Sequence, residues 1–316
     1  VNRDLEKEIE ESCQLKVKEV LSTSPAISVF RAVNELNDFK TIKVIANKSF
    51  FRSEILKMQI LHELKIGKML QYSNSFVRLE THVYTQNYLV LIYEDHLPFC
   101  LEQMYQDLDL TQYLSIIFKD LVDALATLRD NKLIHHDISL RNVFLINGYV
   151  RLGGLEHIFP ISSPLPSFYV PESRPLESLA PEFYTKKNLI YASQIFSLGV
   201  LVYWLLFERF PFPSEVKTHK HFSEFYAQRK VINLETNAVC PEPNIFTIVK
   251  ECLLVEYADR ITLRYLKSTL DTYCKNKGSL LNMRKNVMSK NKENMKKNVD
   301  LGKIRKDSSF NSYKKC

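Results

Sequence analysis

The chain has 316 residues, 45% hydrophobic and 25% charged, which excludes a wholly disordered or fibrous protein and leaves room for a substantial core. The net charge of +7 is uneven: residues 275–316 hold 13 Lys/Arg against 3 Asp/Glu, so the rest of the chain is close to neutral at −3. Seven glycines argue against plentiful glycine-rich phosphate loops, and six scattered cysteines with no C-x-x-C pair or metal-ligand spacing exclude a thiolate metal site and suit a reducing compartment.

Residues 1–15 open with VNRDLEKEIEESC, a charged extension lacking the apolar core of a signal peptide. From Lys16 to Ile45, apolar and polar residues alternate in bursts separated by Ser/Pro and Asn/Asp clusters, which predicts three antiparallel strands. A helix follows over roughly Phe50 to Leu70, then two strands joined at Thr85 to Asn87, so residues 16–95 form a five-stranded β-rich lobe with one helix. After Asp95, LTQYLSIIFKDLVDALATLRDNK carries apolar residues at i, i+3, i+4 and i+7, the pattern of an amphipathic helix. Phe159 to Glu182 is a proline-rich loop of a length that usually serves function. The apolar run Ile195 to Phe207 is too short to span a bilayer and reads as a buried helix; further helical pieces to Tyr273 complete a mostly α second lobe over 96–274. Residues 275–316, rich in Lys, Asn and Ser, read as a disordered basic tail, with nucleic acid or an anionic membrane as alternative partners. That tail holds the string Lys292-Glu293-Asn294, which matches a K-E-N destruction signal, and Ser308, Ser309 and Tyr313 as candidate phosphorylation sites. No repeat and no transmembrane segment is evident, and a soluble cytoplasmic or nuclear protein is expected.

His135 to Asn142, HHDISLRN, placed directly after a long helix, resembles the H-R-D-x-x-x-x-N loop of protein kinases. In order, Lys43 in KTIKVI, Glu63 on the helix, Ala180-Pro181-Glu182, SQIFSLGV and Arg260 in YADRITLRYL match further kinase motifs over Lys43 to Tyr273. The resemblance implies an α+β, bilobal kinase-like fold with ATP and Mg or Mn as cofactors. It assigns Asp137 as the base that accepts the hydroxyl proton and Asn142 as a metal ligand. Lys43 would hold the phosphates, paired with Glu63. Tyr93 would gate the back of the nucleotide pocket ahead of the hinge Glu94-Asp95-His96, and Glu182 would pair with Arg260. Arg141 before Asn142, with Ser139 rather than lysine two places after Asp137, is more typical of tyrosine kinases.

Several positions depart from that pattern. The D-F-G triplet falls on Gly154-Leu155-Glu156, so the metal-bridging carboxylate is replaced by glycine, leaving the amide of Asn142 and, two residues on, Glu156 as either a substitute ligand or a surface or ion-paired side chain. Ser22, Ser24 and Ile27 stand at the three glycine positions of the phosphate loop, and Pro25 removes an amide from it. His136 replaces the loop arginine and Gln194 the aspartate that braces the loop from below. The Gly-Leu-Glu triplet is similar to that of the Tribbles pseudokinases, adaptors between ubiquitin ligases, kinases and substrates. The resulting expectation is a pseudokinase acting as scaffold or allosteric regulator, with a true kinase, its substrate or a ubiquitin ligase as partner. The alternatives are an active kinase with unusual metal dependence, and a tail-borne tether to nucleic acid or membrane.

Overall fold

The computed structural model describes residues 3–285 apart from 97–99, 106–108, 162–165, 167–174, 187–188, 229–231, 233, 235–239 and 278–283. Strands β1 (Lys16–Thr23), β2 (Ile27–Val33), β3 (Phe39–Ala46), β4 (Leu79–Tyr84) and β5 (Tyr88–Glu94) form one antiparallel sheet in the order β1-β2-β3-β5-β4. Period-two alternation gives this sheet two apolar faces. Ile42, Val44, Val90 and Ile92 pack with Phe30 on the outer one, while Ile45, Leu89, Leu91 and Tyr93 join the main core on the inner one. Lys43 lies opposite Leu91 in the ladder, so it too projects from the inner face, towards the cleft.

Among the described residues the small lobe and its N-terminal extension have three helices where one was expected. Helix α1 (Arg3–Cys13) places Leu5 and Ile9 one turn apart, and both are buried against the outer face of the sheet. Its Glu8 accepts hydrogen bonds from Thr85 Oγ1 (2.5 Å), the Asn87 amide (2.7 Å) and Asn87 Nδ2 (2.9 Å), fastening the N-terminal extension to the β4–β5 turn. The expected helix over 50–70 is two, α2 (Asn47–Arg52) and α3 (Glu54–Leu70). The break lies at Ser53, which turns extended and accepts the Leu56 amide at 3.2 Å as an N-cap.

In the larger lobe, α4 (Leu101–Met104) and the buried α5 (Leu114–Asp130) precede four short strands, β6 (Leu133–His135), β7 (Val143–Ile146), β8 (Tyr149–Leu152) and β9 (Ile158–Pro160). β6 pairs with β9 and β7 with β8, both antiparallel, which draws the loops carrying Asp137 and Gly154 together. Then come α6 (Pro181–Lys186), α7 (Tyr191–Phe207), α8 (His219–Ala227), α9 (Pro243–Cys252) and α10 (Leu263–Lys277). The apolar run at Ile195 lies in α7 at the centre of the core, and among the described residues no helix is long and apolar enough to cross a membrane.

The tail does not begin as a free chain at 275. Helix α10 continues to Lys277, and Arg284 docks on the larger lobe, its Nη2 2.6 Å from Asp120 Oδ1, its Nη1 2.8 Å from the Gly148 carbonyl, and its guanidinium 4.2 Å above the Tyr149 ring. A bidentate carboxylate plus an aromatic face offsets the entropy of ordering this segment. Residues 286–316, with Lys292-Glu293-Asn294, Ser308, Ser309 and Tyr313, lie outside the described residues, as do 162–165 and 167–174 of the proline-rich loop.

Candidate active site

The inner face of β3 and the inner face of α3 bring Lys43 and Glu63 together, with Nζ 2.7 Å from Oε2. The other Glu63 oxygen accepts the Tyr93 hydroxyl, so this tyrosine points at the helix carboxylate. Burial opposes the charge on Lys43, but Glu63 and Glu156 outweigh it and hold the ammonium above its ordinary pKa. Burial, reinforced by Glu63, pushes the Tyr93 phenol well up, which keeps it a donor.

The catalytic-loop residues are positioned by backbone bonds. Gln194 Oε1 accepts the His135 amide at 2.8 Å, the brace expected of it, without a charge. His135 bridges the two loops: Nε2 lies 2.8 Å from the Gly153 carbonyl and Nδ1 accepts the Asp137 amide at 3.0 Å. Burial drives its pKa down to about 4, so the ring is neutral and its single proton sits on Nε2. His136, in place of the arginine, is buried, with its ring edge against Phe159. Asp137 is fully buried, and its Oδ2 accepts Arg141 Nε at 3.0 Å and Nη2 at 2.5 Å, with His157 Nε2 3.8 Å away. Burial alone would raise the Asp137 pKa; Arg141 and His157 outweigh it and keep the carboxylate ionised. Asn142 Nδ2 donates to the Asp137 carbonyl at 3.0 Å.

Gly154 occupies the position of the missing carboxylate in a left-handed conformation, φ +66°. A Cβ on it would lie 2.8 Å from both Cγ and Oδ1 of Asn142, so the asparagine side chain fills the space a carboxylate would need. Glu156 is half-buried, and its charge is felt at Lys43, Glu63, Tyr93, His62, His96 and His135. Burial pushes Glu156 up, yet Lys43, His157 and a hydrogen bond from its own amide hold its pKa down at about 2. Among the described residues there is no group of three or more His, Cys, Asp or Glu side chains that could hold a metal ion.

At the phosphate loop two amides are engaged within the turn. The Ser24 amide donates to the Ile27 carbonyl (2.8 Å), the Ile27 amide to Ser24 Oγ (3.0 Å), and Pro25 has none. Ser22 is absorbed into the ladder opposite Val29. The Glu94 side chain is likewise committed, Oε1 accepting the Arg78 amide at 2.7 Å and Oε2 pairing with Arg151. Glu182 and Arg260 form the expected buried pair at 2.9 and 3.2 Å, extended by Ser193 Oγ at 2.6 Å from Glu182 Oε1. Motif reading missed His157 beside Asp137 and the ring of His96 at the hinge, because neither belongs to a kinase signature.

Residues 26–270 match the family model of the protein kinase domain. Among curated proteins, the chain is 31% identical to mouse (Mus musculus) Aurora kinase C over 192 residues, which is 56% of this chain and 66% of the relative. The match thus spans just under two thirds of that kinase.

Proposed function

The chain belongs to the protein kinase family, and from that premise we propose that it is a pseudokinase, a kinase fold without efficient phosphoryl transfer that serves as a scaffold or allosteric regulator. The observation that carries this reading is Gly154, a position without a side-chain oxygen whose missing side chain has been replaced in space by Asn142. Phosphoryl transfer is mostly positioning and charge neutralisation, so Asp137 has nothing to activate where no metal-bound phosphate is presented. The internally bonded Ser24–Ile27 turn supports the same reading, since it withholds two of the amides that would cradle phosphates. A true kinase, its substrate or a ubiquitin ligase is the class of partner this role calls for, met in the cytoplasm or nucleus.

One observation favours a second reading, an atypical active kinase: Glu156 is an ionised carboxylate whose charge is felt at Lys43. Both readings are tested by thermal unfolding of the full chain with ATP alone and with ATP plus magnesium or manganese, since binding to the native state raises the midpoint by mass action. The pseudokinase reading expects no metal-dependent rise and no phosphate transfer in the parent or in Asp137→Asn, whose midpoint, lowered by loss of the Arg141 pair, should be equally indifferent to metal. A metal-dependent rise, with transfer abolished by Asp137→Asn, would establish the second reading and overturn the first.

A further inference from the structure

The connection between the lobes, Tyr93 to His96, carries the backbone groups that face the inner end of the cleft, and the chain has used them itself. A purine presents along one edge a ring nitrogen that accepts and, in adenine, an amine that donates. A strand that reads that edge needs one free N–H and one free C=O. Here the Glu94 carbonyl lies 2.8 Å from His96 Nδ1, and the His96 amide donates to Thr41 Oγ1 at 3.4 Å. Thr41 is a buried residue on the inner face of β3, directly opposite Tyr93 in the ladder and two residues from Lys43, so its hydroxyl faces the hinge by construction.

The His96 ring is fixed on its other sides as well. It meets the Phe144 ring edge-on with centroids 4.9 Å apart and the Tyr93 ring at 5.7 Å, distances at which aromatic pairs attract. Phe144 can stand there because Gly153 yields to it: a Cβ on Gly153 would lie 2.5 Å from the Phe144 ring. A planar, nitrogen-bearing ring therefore sits between an aromatic floor and the lobe connection and hydrogen-bonds the connection's carbonyl. Those are the contacts a bound purine would make.

We propose that His96 is an internal stand-in for the purine, so that the side chain at this position, and not only the missing metal carboxylate, decides whether the cleft admits an adenine nucleoside. The inference rests on the pseudokinase reading for its meaning but concerns a different part of the ligand, since it says nothing of phosphates or metal.

The test uses adenosine, which has no phosphate, as the probe, with the full chain as parent and as His96→Ala, and binding followed by titration calorimetry. The parent is expected to show no heat up to millimolar adenosine. His96→Ala frees the Glu94 carbonyl and opens the slot, and is expected to gain affinity by about tenfold or more, the value of roughly one net hydrogen bond. Equal adenosine binding by parent and variant would overturn the proposal, and so would a folded His96→Ala that stays silent. Should His96→Ala fail to fold, His96→Ser takes its place: it likewise removes the ring from Phe144 and the Nδ1 bond to the Glu94 carbonyl, and must bind adenosine more tightly than the parent, without which the proposal falls. Phosphate transfer from ATP and magnesium, run in parallel on the parent, reports on the pseudokinase reading alone, so each idea can fail while the other stands.

Discussion

Restoring the missing carboxylate with Gly154→Asp is expected to destabilise the fold and leave it without transfer activity. Two costs follow from the geometry. A non-glycine residue at φ +66° costs about 1 kcal/mol, aspartate being among the more tolerant. The new Cβ would stand 2.8 Å from Asn142 Cγ, which forces the amide to rotate and surrender its 3.0 Å bond to the Asp137 carbonyl, about another 1 kcal/mol. The sum of about 2 kcal/mol should lower the thermal midpoint by roughly 4–8 °C for a domain of this size. Because only the second cost lies at Asn142, a double-mutant cycle separates them. Asn142→Ala alone gives up the same bond, so Gly154→Asp on that background should cost only the left-handed strain, a coupling of about 1 kcal/mol. Differential scanning fluorimetry on the four chains reads the cycle. A Gly154→Asp chain as stable as the parent, or strictly additive with Asn142→Ala, would refute the claim that Asn142 fills the vacated space.

Arg260→Ala leaves Glu182 buried at 4% exposure without its cation, and should cost about 3–5 kcal/mol, seen as a midpoint lowered by roughly 10 °C. Glu156 has a folded pKa of about 2, below its unfolded value, so its stabilising share is present above the unfolded pKa and is lost as pH falls towards 2. The midpoint difference between the parent and Glu156→Gln should therefore shrink steadily as pH is lowered from 6 to 3, and a difference that stays constant would place Glu156 outside the field of Lys43. Arg284→Ala should cost about 1–2 kcal/mol and speed proteolytic cleavage after Lys277, while amide exchange at Val150, whose N–H is held by the same Asp120 at 2.9 Å, should quicken. Unchanged protection at Val150 would show that the tail anchor and β8 are independent.

What the sequence could reveal depended on how local each signal is. The Lys43–Glu63 pair and the Glu182–Arg260 pair were legible because their motifs recur at fixed places along the chain, although the partners meet only in the fold. Helix α1 was not, since Leu5 and Ile9 are two apolar residues in a charged segment, and their burial is decided by a sheet face that forms elsewhere. The break at Ser53 could have been read, as a serine ahead of an apolar-periodic run is an N-cap signal. His96 could not, because its role is made by Thr41, some fifty residues upstream, and by Phe144, some fifty downstream. The departures also divide by the part of a nucleotide they would oppose. On the proposed reading, Gly154 removes a metal ligand, the Ser24–Ile27 turn withdraws phosphate donors, and His96 takes the purine's hydrogen bonds. The kinase groups that remain all have structural partners within the chain: Lys43 with Glu63, Glu63 with Tyr93, Asp137 with Arg141, and Asn142 with the Asp137 carbonyl. Each of these would be costly to delete from a buried site whether or not a nucleotide is bound, so their presence measures the demands of the fold and carries no weight as evidence of transfer.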